Sequence, residues 1–189
     1  MRPIPKNAAL ILIDIQQGFD HPTHWGQFNN PGAVANAAKL LAAWRKSGRP
    51  LIHVRHLSRT PGSPLAPGQP GCEFRSEVRP LPGETVIGKH MNSAFIGTDL
   101  EARLRGQDIN TLVIAGLTTQ HCVSTTVRMA GNLGFDALVA ADACAAQSRT
   151  GYDGKEHSAQ TVHEVALANL HGEFAEVTDT AHILKALQD

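Results

Sequence analysis

The segment Asn110-Thr-Leu-Val-Ile-Ala-Gly116-Leu-Thr-Thr-Gln-His-Cys122-Val places one cysteine at a turn between a strand and a helix. Leu112 to Ala115 is a short apolar run with two β-branched residues, which predicts a strand buried on both faces of a parallel sheet. Gly116 ends that strand, and a helix that begins near Thr119 would bring the Cys122 thiol close to unpaired backbone N–H groups. The positive end of a helix dipole favours the thiolate, so Cys122 is a candidate nucleophile. A free cysteine is as often a small buried hydrophobe, and its partners must decide between the two roles.

The composition argues against several classes of function. Lysine plus arginine and aspartate plus glutamate number 17 each, so the chain has no basic surplus for binding nucleic acid or an anionic membrane. A length of 189 residues predicts a single domain over residues 1–189. No apolar run suits a signal peptide or a transmembrane helix, which predicts a cytoplasmic protein without a membrane partner. Cys72, Cys122 and Cys144 have no metal or disulfide spacing, and we expect all three to be free.

Strand-like and helix-like segments alternate along the chain, which is typical of βαβ units around a parallel sheet. The predicted strands cover residues 8–14, 50–55, 85–88, 112–115, 137–141 and 174–177. The predicted helices cover residues 31–46, 98–105, about 119–134, 155–171 and 181–187. We therefore predict an α/β fold: a three-layer, doubly wound sheet of about six mostly parallel strands with helices on both faces.

Residues 57–84, between the second and third predicted strands, form a long segment that is rich in proline and glycine. A structureless loop of this length in a compact domain is usually functional or disordered. The segment contains Cys72 and Phe74 and few charges before Glu73, which favours an ordered lid as much as a linker. Such a lid would cover a site or contact a neighbouring subunit.

Three side chains with complementary chemistry follow predicted strands. Asp14 ends the first strand, Lys89 follows the third and Cys122 follows the fourth. Ligands of open α/β sheets bind outside the carboxyl ends of the strands, so we expect these three groups to meet there. A carboxylate base, a cation and a thiol are the minimum set for a nucleophilic cysteine that uses a carboxylate.

Histidines offer a different partner for the thiol, and the sequence favours it less. Adjacent helical residues point about 100° apart, so His121 is badly placed to reach Cys122. His90 points to the opposite face from Lys89 if the third strand continues. The chain has no Gly-x-Gly-x-x-Gly, Walker A or Gly-x-Ser-x-Gly motif that would indicate a dinucleotide enzyme, a P-loop enzyme or a serine hydrolase.

Three longer motifs occur in order along the chain. They are Leu12-Ile-Asp14-Ile-Gln-Gln-Gly-Phe19, Val86-Ile-Gly-Lys89-His-Met-Asn-Ser-Ala-Phe95 with Gly97-Thr-Asp-Leu100, and Val113-Ile-Ala-Gly116-Leu-Thr-Thr-Gln-His-Cys122-Val. On these residues the chain resembles the isochorismatase-like cysteine hydrolases, the superfamily of nicotinamidases, carbamoylsarcosine amidohydrolases and ureidoacrylate amidohydrolases. The resemblance covers almost the whole chain and implies the isochorismatase-like form of a Rossmann-like fold.

The resemblance implies that Asp14, Lys89 and Cys122 form a catalytic triad and that the Leu117–Thr118 peptide bond is cis. Cys122 would attack a carbonyl carbon, Asp14 would take the thiol proton, and the backbone N–H groups of Thr118 and Cys122 would bind the oxyanion. The expected reaction is hydrolysis of a C–N bond in a small amide, a carbamoyl or urea-type compound or a lactam, through a Cys thioester. This chemistry implies no cofactor and a small-molecule substrate. Such relatives are commonly oligomeric, so we expect a homodimer or homotetramer.

The sequence departs from the metal-containing members of the superfamily after the second strand. Those members have an Asp-x-His pair there, whereas this chain has His53-Val-Arg-His56-Leu-Ser-Arg59. His53 and His56 would face opposite sides of a strand and would not share a metal without distortion, so we predict no metal site. Gln120 stands where relatives often have an acidic residue or Asn, and we expect it to alter the pocket wall.

Substrate contacts and two other functions stay open at this point. Gln16, Phe19 and Trp25 are candidate substrate-binding residues, although the two aromatic side chains would equally fix their own loop to the core. One alternative function is hydrolysis of a vinyl ether such as isochorismate, for which the thiol would be idle. The other is a non-catalytic binding or redox-sensing member of the fold, in which Cys122 oxidises reversibly.

Overall fold

The computed structural model describes residues 3–187 and is built around a six-stranded parallel sheet. The sheet order is β3-β2-β1-β4-β5-β8, and every neighbouring pair is parallel. This arrangement confirms the predicted doubly wound α/β fold. The strands are β1 (Ala9–Ile13), β2 (Leu51–His56), β3 (Thr85–Lys89), β4 (Thr111–Leu117), β5 (Asp136–Ala145), the short hairpin strands β6 (Arg149–Thr150) and β7 (Glu156–His157), and β8 (Glu176–Thr178).

Helices cover both faces of the sheet, as the sequence predicts. They are α1 (Pro22–Trp25), α2 (Ala33–Ser47), α3 (Leu100–Arg105), α4 (Ser124–Asn132), α5 (Ala159–Ala168) and α6 (Thr180–Ala186). Side chains of β1 alternate between the two cores: Leu10 and Leu12 pack with α2 and α6, whereas Ile11 and Ile13 pack with α3, α4 and α5. Within residues 3–187, no helix has both the length and the apolarity needed to cross a bilayer.

The helix predicted over residues 155–171 is shorter than expected because its first part forms a hairpin. β6 and β7 pair antiparallel there, and α5 begins only at Ala159. The start is fixed by Ser158, whose Oγ accepts a hydrogen bond from the Thr161 N–H at 3.1 Å. Such a cap satisfies an N–H group that has no partner inside the helix, so the capping residue and not the apolar periodicity sets the boundary.

The segment 57–84 is ordered and packed, so its interpretation as a linker is wrong. Leu65, Cys72, Phe74 and Val78 are all buried. The segment contacts the loop after β1 so closely that a Cβ atom on Gly71 would lie 2.7 Å from the Gly18 Cα. It is therefore part of the fold beside the end of β1, and its contact with a neighbouring subunit stays a prediction.

The order of the strands reverses between β1 and β4, and a crevice opens at such a switch point in doubly wound sheets. Ile13 and Gly116 are paired across these two strands. Gly116 has a φ of 137°, and any side chain there would collide with the backbone of Ile13. A glycine is thus required for the two strand ends to approach, which brings the residues that follow them together.

Candidate active site

Asp14 follows β1 directly and has an unusual backbone conformation. Its φ is 52°, in the left-handed region that few residues other than glycine occupy, and its N–H donates to the Val54 carbonyl at 2.9 Å. Its side chain is fully buried. Such conformations persist only where the surrounding structure holds them in place, and they are often found at functional sites. Here the turn leaves the carboxylate at the switch point between β1 and β4.

Lys89 is the last residue of β3 and sends its buried side chain to the same point. Its Nζ lies 2.6 Å from Asp14 Oδ2 and 3.3 Å from Cys122 Sγ. The structure thus brings together the three residues that the sequence predicts as a triad. Apart from Lys89 and Cys122, no group within residues 3–187 donates a hydrogen bond to the Asp14 carboxylate. The carboxylate is therefore free to accept a proton from the thiol.

Cys122 lies in a wide turn between β4 and α4. Residues Thr119–Val123 have π-helical geometry, and α4 continues from Ser124. The helical segment thus begins at Thr119 as expected, although its first turn is not α-helical. Such π-helical turns are rare and are often found at functional sites. This turn leaves Cys122 only 8% exposed.

The thiol is protonated in this environment, so the expectation that a helix terminus favours the thiolate is wrong. Burial and, to a smaller extent, the charge of Asp14 raise the pKa of Cys122 to about 12, although Lys89 opposes both. Burial also raises the pKa of Asp14, again against the charge of Lys89. Desolvation disfavours each charged form and outweighs the effect of the helix. The unliganded site therefore holds a neutral thiol beside Asp14 and Lys89.

The two histidines that the sequence offers as partners of the thiol lie away from it. Neither His121 nor His90 contacts the Cys122 sulfur within the described part of the chain. His90 is exposed, and its Nδ1 lies 2.7 Å from the Leu57 carbonyl oxygen. This geometry agrees with the sequence analysis, which favours Asp14 over His121 or His90 as the partner of the Cys122 thiol.

His56, which the sequence analysis considers only as a metal ligand and rejects in that role, contacts the triad through Lys89. The His56 Nδ1 lies 3.1 Å from the Lys89 Nζ. Burial, followed by the charges of Lys89 and His90, lowers the pKa of His56 to about 4, so the imidazole is neutral near pH 7. The signal that would have revealed it is the register of the parallel strands, because His56 pairs with Lys89 at the ends of β2 and β3.

Three potential metal ligands converge here, and the lysine lies among them. The carboxylate of Asp14, the imidazole of His56 and the thiol of Cys122 lie within 4.8 Å of one another. The Lys89 Nζ lies 2.6–3.3 Å from one atom of each of these residues, so all three groups already have a cation as a neighbour. His53 faces the other way and pairs with Glu84 at 2.9 Å, as expected for strand residues three apart.

The structure corrects the assignment of Gln16 as a substrate-binding residue. Its side chain is fully buried, and its amide donates to the carbonyls of His56 at 3.0 Å and Cys72 at 2.9 Å. Its Oε1 accepts the His56 N–H at 2.8 Å. Both N–H donors of the amide are therefore committed to the backbone and are not available to a substrate.

Phe19 and Trp25 pack against each other in the loop after β1. Their ring centroids are 4.9 Å apart, and the Trp25 indole N–H donates to the Gly18 carbonyl at 2.8 Å. Phe19 is buried against Leu117, which precedes a cis peptide bond to Thr118. These aromatic residues were considered either for substrate binding or for fixing their own loop to the core. The contacts within this chain support the second role.

Two polar contacts outside the triad hold the turn around Cys122. The Thr119 hydroxyl lies 2.8 Å from Nδ1 of the buried His163 on α5, a partner that the sequence did not reveal. Gln120 donates to the Gln147 side chain at 3.0 Å and lines the cleft between α4 and α5. The expected effect of Gln120 on the wall of the active-site pocket stays a prediction.

Comparisons with known proteins agree with this geometry. Residues 8–182 match the family model described as the isochorismatase domain. The isochorismatase family protein YrdC of Bacillus subtilis (strain 168) is 43% identical over 179 residues, which cover 95% of each chain. A crystal structure of an isochorismatase-family protein from Chromobacterium violaceum is 50% identical, covers 100% of this chain and 97% of its own, and superposes with a TM-score of 0.96.

A more distant relative has a name that states its reaction. The maleamate amidohydrolase of Pseudomonas putida is 27% identical over 200 residues, covering 97% of this chain and 88% of its own. The family match covers most of the chain, and the relatives extend over nearly its full length. The chain therefore belongs to the isochorismatase family of cysteine hydrolases.

Proposed function

We propose that this protein hydrolyses a C–N bond in a small amide, a carbamoyl or urea-type compound, or a lactam, through a thioester on Cys122. The observation that carries the proposal is the position of the Lys89 ammonium, 2.6 Å from the Asp14 carboxylate and 3.3 Å from the Cys122 sulfur. This set supplies a nucleophile, a base and a charge-stabilising cation in one buried place. A relative named as an amidohydrolase supports the choice of a C–N bond.

The first half of the reaction makes the thioester. Asp14 takes the thiol proton as the Cys122 sulfur attacks the carbonyl carbon, and Lys89 stabilises the negative charge on the sulfur. The backbone N–H groups of Thr118 and Cys122 hold the oxyanion of the tetrahedral intermediate. The C–N bond then breaks, and Asp14 returns its proton to the departing nitrogen, which leaves as ammonia or an amine.

The second half releases the acid. Asp14 takes a proton from a water molecule as the water oxygen attacks the thioester carbonyl carbon. Asp14 then gives this proton to the Cys122 sulfur as the C–S bond breaks. A carboxylate whose pKa is raised by burial holds the proton better between these steps, which suits a group that acts as both base and acid. A raised pKa of the thiol keeps Cys122 neutral until a carbonyl group is in place.

A substrate panel tests this function. Maleamate, ureidoacrylate, nicotinamide, a simple lactam and isochorismate would be incubated with the wild type, with Cys122→Ala and with the matched control Cys144→Ala. We expect ammonia or acid from at least one C–N substrate, a loss of about 10³-fold or more in Cys122→Ala, and a rate within about threefold in Cys144→Ala.

Three outcomes would contradict the proposal. Isochorismate cleavage that survives Cys122→Ala would indicate a vinyl-ether hydrolase. Equal loss in both cysteine variants would show that the effect comes from the fold. Failure of every C–N substrate, with reversible oxidation of Cys122, would indicate a redox sensor.

A further inference from the structure

The ammonium group of Lys89 has three close polar partners: it forms an ion pair with one and hydrogen-bonding contacts with the other two. They are Asp14 Oδ2 at 2.6 Å, His56 Nδ1 at 3.1 Å and Cys122 Sγ at 3.3 Å. A lysine ammonium has three donors and no acceptor, so these three groups match its donors in a buried site. The proposed reaction uses Asp14 and Cys122 and leaves the contact with His56 without a role.

We propose that His56 is a positioning residue whose Nδ1 accepts the third N–H of Lys89 and so fixes the ammonium between the base and the nucleophile. The expected effect of His56 on turnover rests on the proposed function. The expected effect of His56 on the reactivity of the Cys122 thiol rests on geometry alone. His56 touches Lys89 and neither of the other two triad residues within the described hydrogen bonds. Its action on Cys122 therefore passes through the lysine.

Only a neutral imidazole can fill this role. A protonated ring has no lone pair on Nδ1, and its charge would repel the ammonium at 3.1 Å. Burial and the nearby charges of Lys89 and His90 keep His56 unprotonated near pH 7. Because Nδ1 is the acceptor, the neutral ring carries its proton on Nε2.

The backbone of His56 is held more firmly than strand pairing alone requires. The buried side chain of Gln16 binds both sides of it, accepting its N–H at 2.8 Å and donating to its carbonyl at 3.0 Å. The second N–H of the Gln16 amide donates to the Cys72 carbonyl at 2.9 Å, which ties in the segment 57–84. Gln16 thus orients His56, and His56 orients Lys89.

Two substitutions of similar size separate the acceptor from the bulk of the ring. His56→Asn places an amide oxygen where Nδ1 lies and preserves an acceptor for Lys89. His56→Leu fills the space without one and leaves a buried N–H unsatisfied, so the ammonium is free to leave its position. A merely structural role for His56 would be indifferent to this chemical difference.

The first readout is the rate of alkylation of Cys122 by iodoacetamide at pH 8.5 or so, followed by peptide mass spectrometry. It needs no substrate, so it tests His56 even if no amide is hydrolysed. We expect His56→Leu to slow alkylation about fivefold to tenfold, because the cation that lowers the pKa of the thiol is displaced. We expect His56→Asn to be alkylated at a rate within about threefold of the wild type.

The second readout is the steady-state kinetics on whichever amide the panel identifies. We expect His56→Leu to lower kcat about 10- to 100-fold with KM changed less than about threefold, and His56→Asn to recover most of kcat. Wild-type rates in His56→Leu, or equal losses in both variants, would overturn the proposal. If the panel yields no substrate, the proposed function fails while the alkylation rates still decide the role of His56.

A further variant covers the case in which His56→Leu does not fold. His56→Ala would be alkylated with and without added imidazole, with the wild type treated alike to correct for catalysis by free imidazole. Recovery of the rate in the variant alone would support the positioning role. Absence of recovery in a variant shown to be folded by its thermal transition would contradict it.

Discussion

Cys122 and Cys144 have the same ionisation and different surroundings. Both are buried in the same hydrophobic cluster, and burial raises the pKa of each to about 12. Cys122 has the Lys89 ammonium at 3.3 Å and the Asp14 carboxylate beside it. Among the described residues, the Cys144 thiol has a backbone hydrogen bond from Gly116, and the charge of Asp142 disfavours its thiolate. A perturbed pKa therefore does not identify the nucleophile; the groups that can take its proton and balance its charge do.

The two cysteines also differ in access. Cys122 is 8% exposed at the turn after β4, whereas Cys144 lies inside β5 with no exposed surface. Cys144 pairs with Gly116 across the sheet, just beyond a shift in the register of β4 and β5. The thiol of Cys144 is thus a packing group inside the sheet, and the thiol of Cys122 is placed at the edge where ligands bind.

Among changes that leave both cysteines in place, the largest effect should come from removing the ammonium that distinguishes the two sites. Lys89→Met would leave Asp14 and Cys122 without their cation, and we expect hydrolysis to fall about 10²- to 10³-fold. This loss would be measured as the steady-state rate on the substrate found by the panel. The control is Lys46→Met, since Lys46 is exposed near the end of α2. A variant of Lys89 that retained wild-type rates would remove the chemical contrast between the two cysteines.

The next effect is a difference in reactivity towards an alkylating agent. At pH 9 we expect iodoacetamide to label Cys122 at least about tenfold faster than Cys144, because Cys144 is reached only by local opening of the sheet. The rate at Cys122 should keep rising with pH up to about 10, since its pKa is raised. Equal labelling, or a plateau of the Cys122 rate below pH 8, would contradict this account of the site.

Substitution by serine should separate stability from activity. In Cys144→Ser the new hydroxyl lies in a fully buried place, and we expect the free energy of unfolding to fall by about 1–3 kcal/mol. In Cys122→Ser the hydroxyl has Lys89 and Asp14 as partners, so the loss of stability should be smaller while hydrolysis is abolished. Denaturant titration of both variants measures the free energy of unfolding. A larger loss of stability in Cys122→Ser than in Cys144→Ser would contradict this prediction.

The smallest effect is a change in the pH dependence of stability. The pKa of His56 is lowered from 6.5 to about 4, so between these values the unfolded chain binds the extra proton and the native protein becomes less stable as pH falls. His56→Asn should remove that part of the slope, and Cys144→Ala should keep it. Thermal midpoints at pH 4.5, 5.5 and 7 or so would show the difference; identical slopes in all three proteins would exclude His56 as its source.

The sequence was sufficient for the fold and for the chemical groups of the site. The apolar run at β4, the alternation of strands and helices and the polar residues after β1, β3 and β4 each reflect local chemistry that a single chain displays. Asp14, Lys89 and Cys122 meet because parallel strands share one carboxyl edge. That inference depends on the order of the elements and not on side-chain detail.

The sequence was not sufficient where long-range packing decides. The role of Gln16 depends on the backbone of His56, forty residues away, and the partner of Lys89 depends on strand register. The protonation of Cys122 depends on how deeply the turn is buried, which a helix-terminus argument does not include. The hairpin β6–β7 replaced the start of a helix because a cap at Ser158 overrode the periodicity.

The most direct test of Cys122 as the nucleophile is to trap its acyl intermediate. The wild type would be mixed with an amide substrate in excess, quenched in acid over the first turnover, digested, and examined by mass spectrometry. We predict an adduct of the acyl mass on the peptide that contains Cys122, removable by hydroxylamine, and none on the peptide that contains Cys144. Formation of the acid product with Cys122 unmodified at every quench time, together with turnover by Cys122→Ala, would contradict the account.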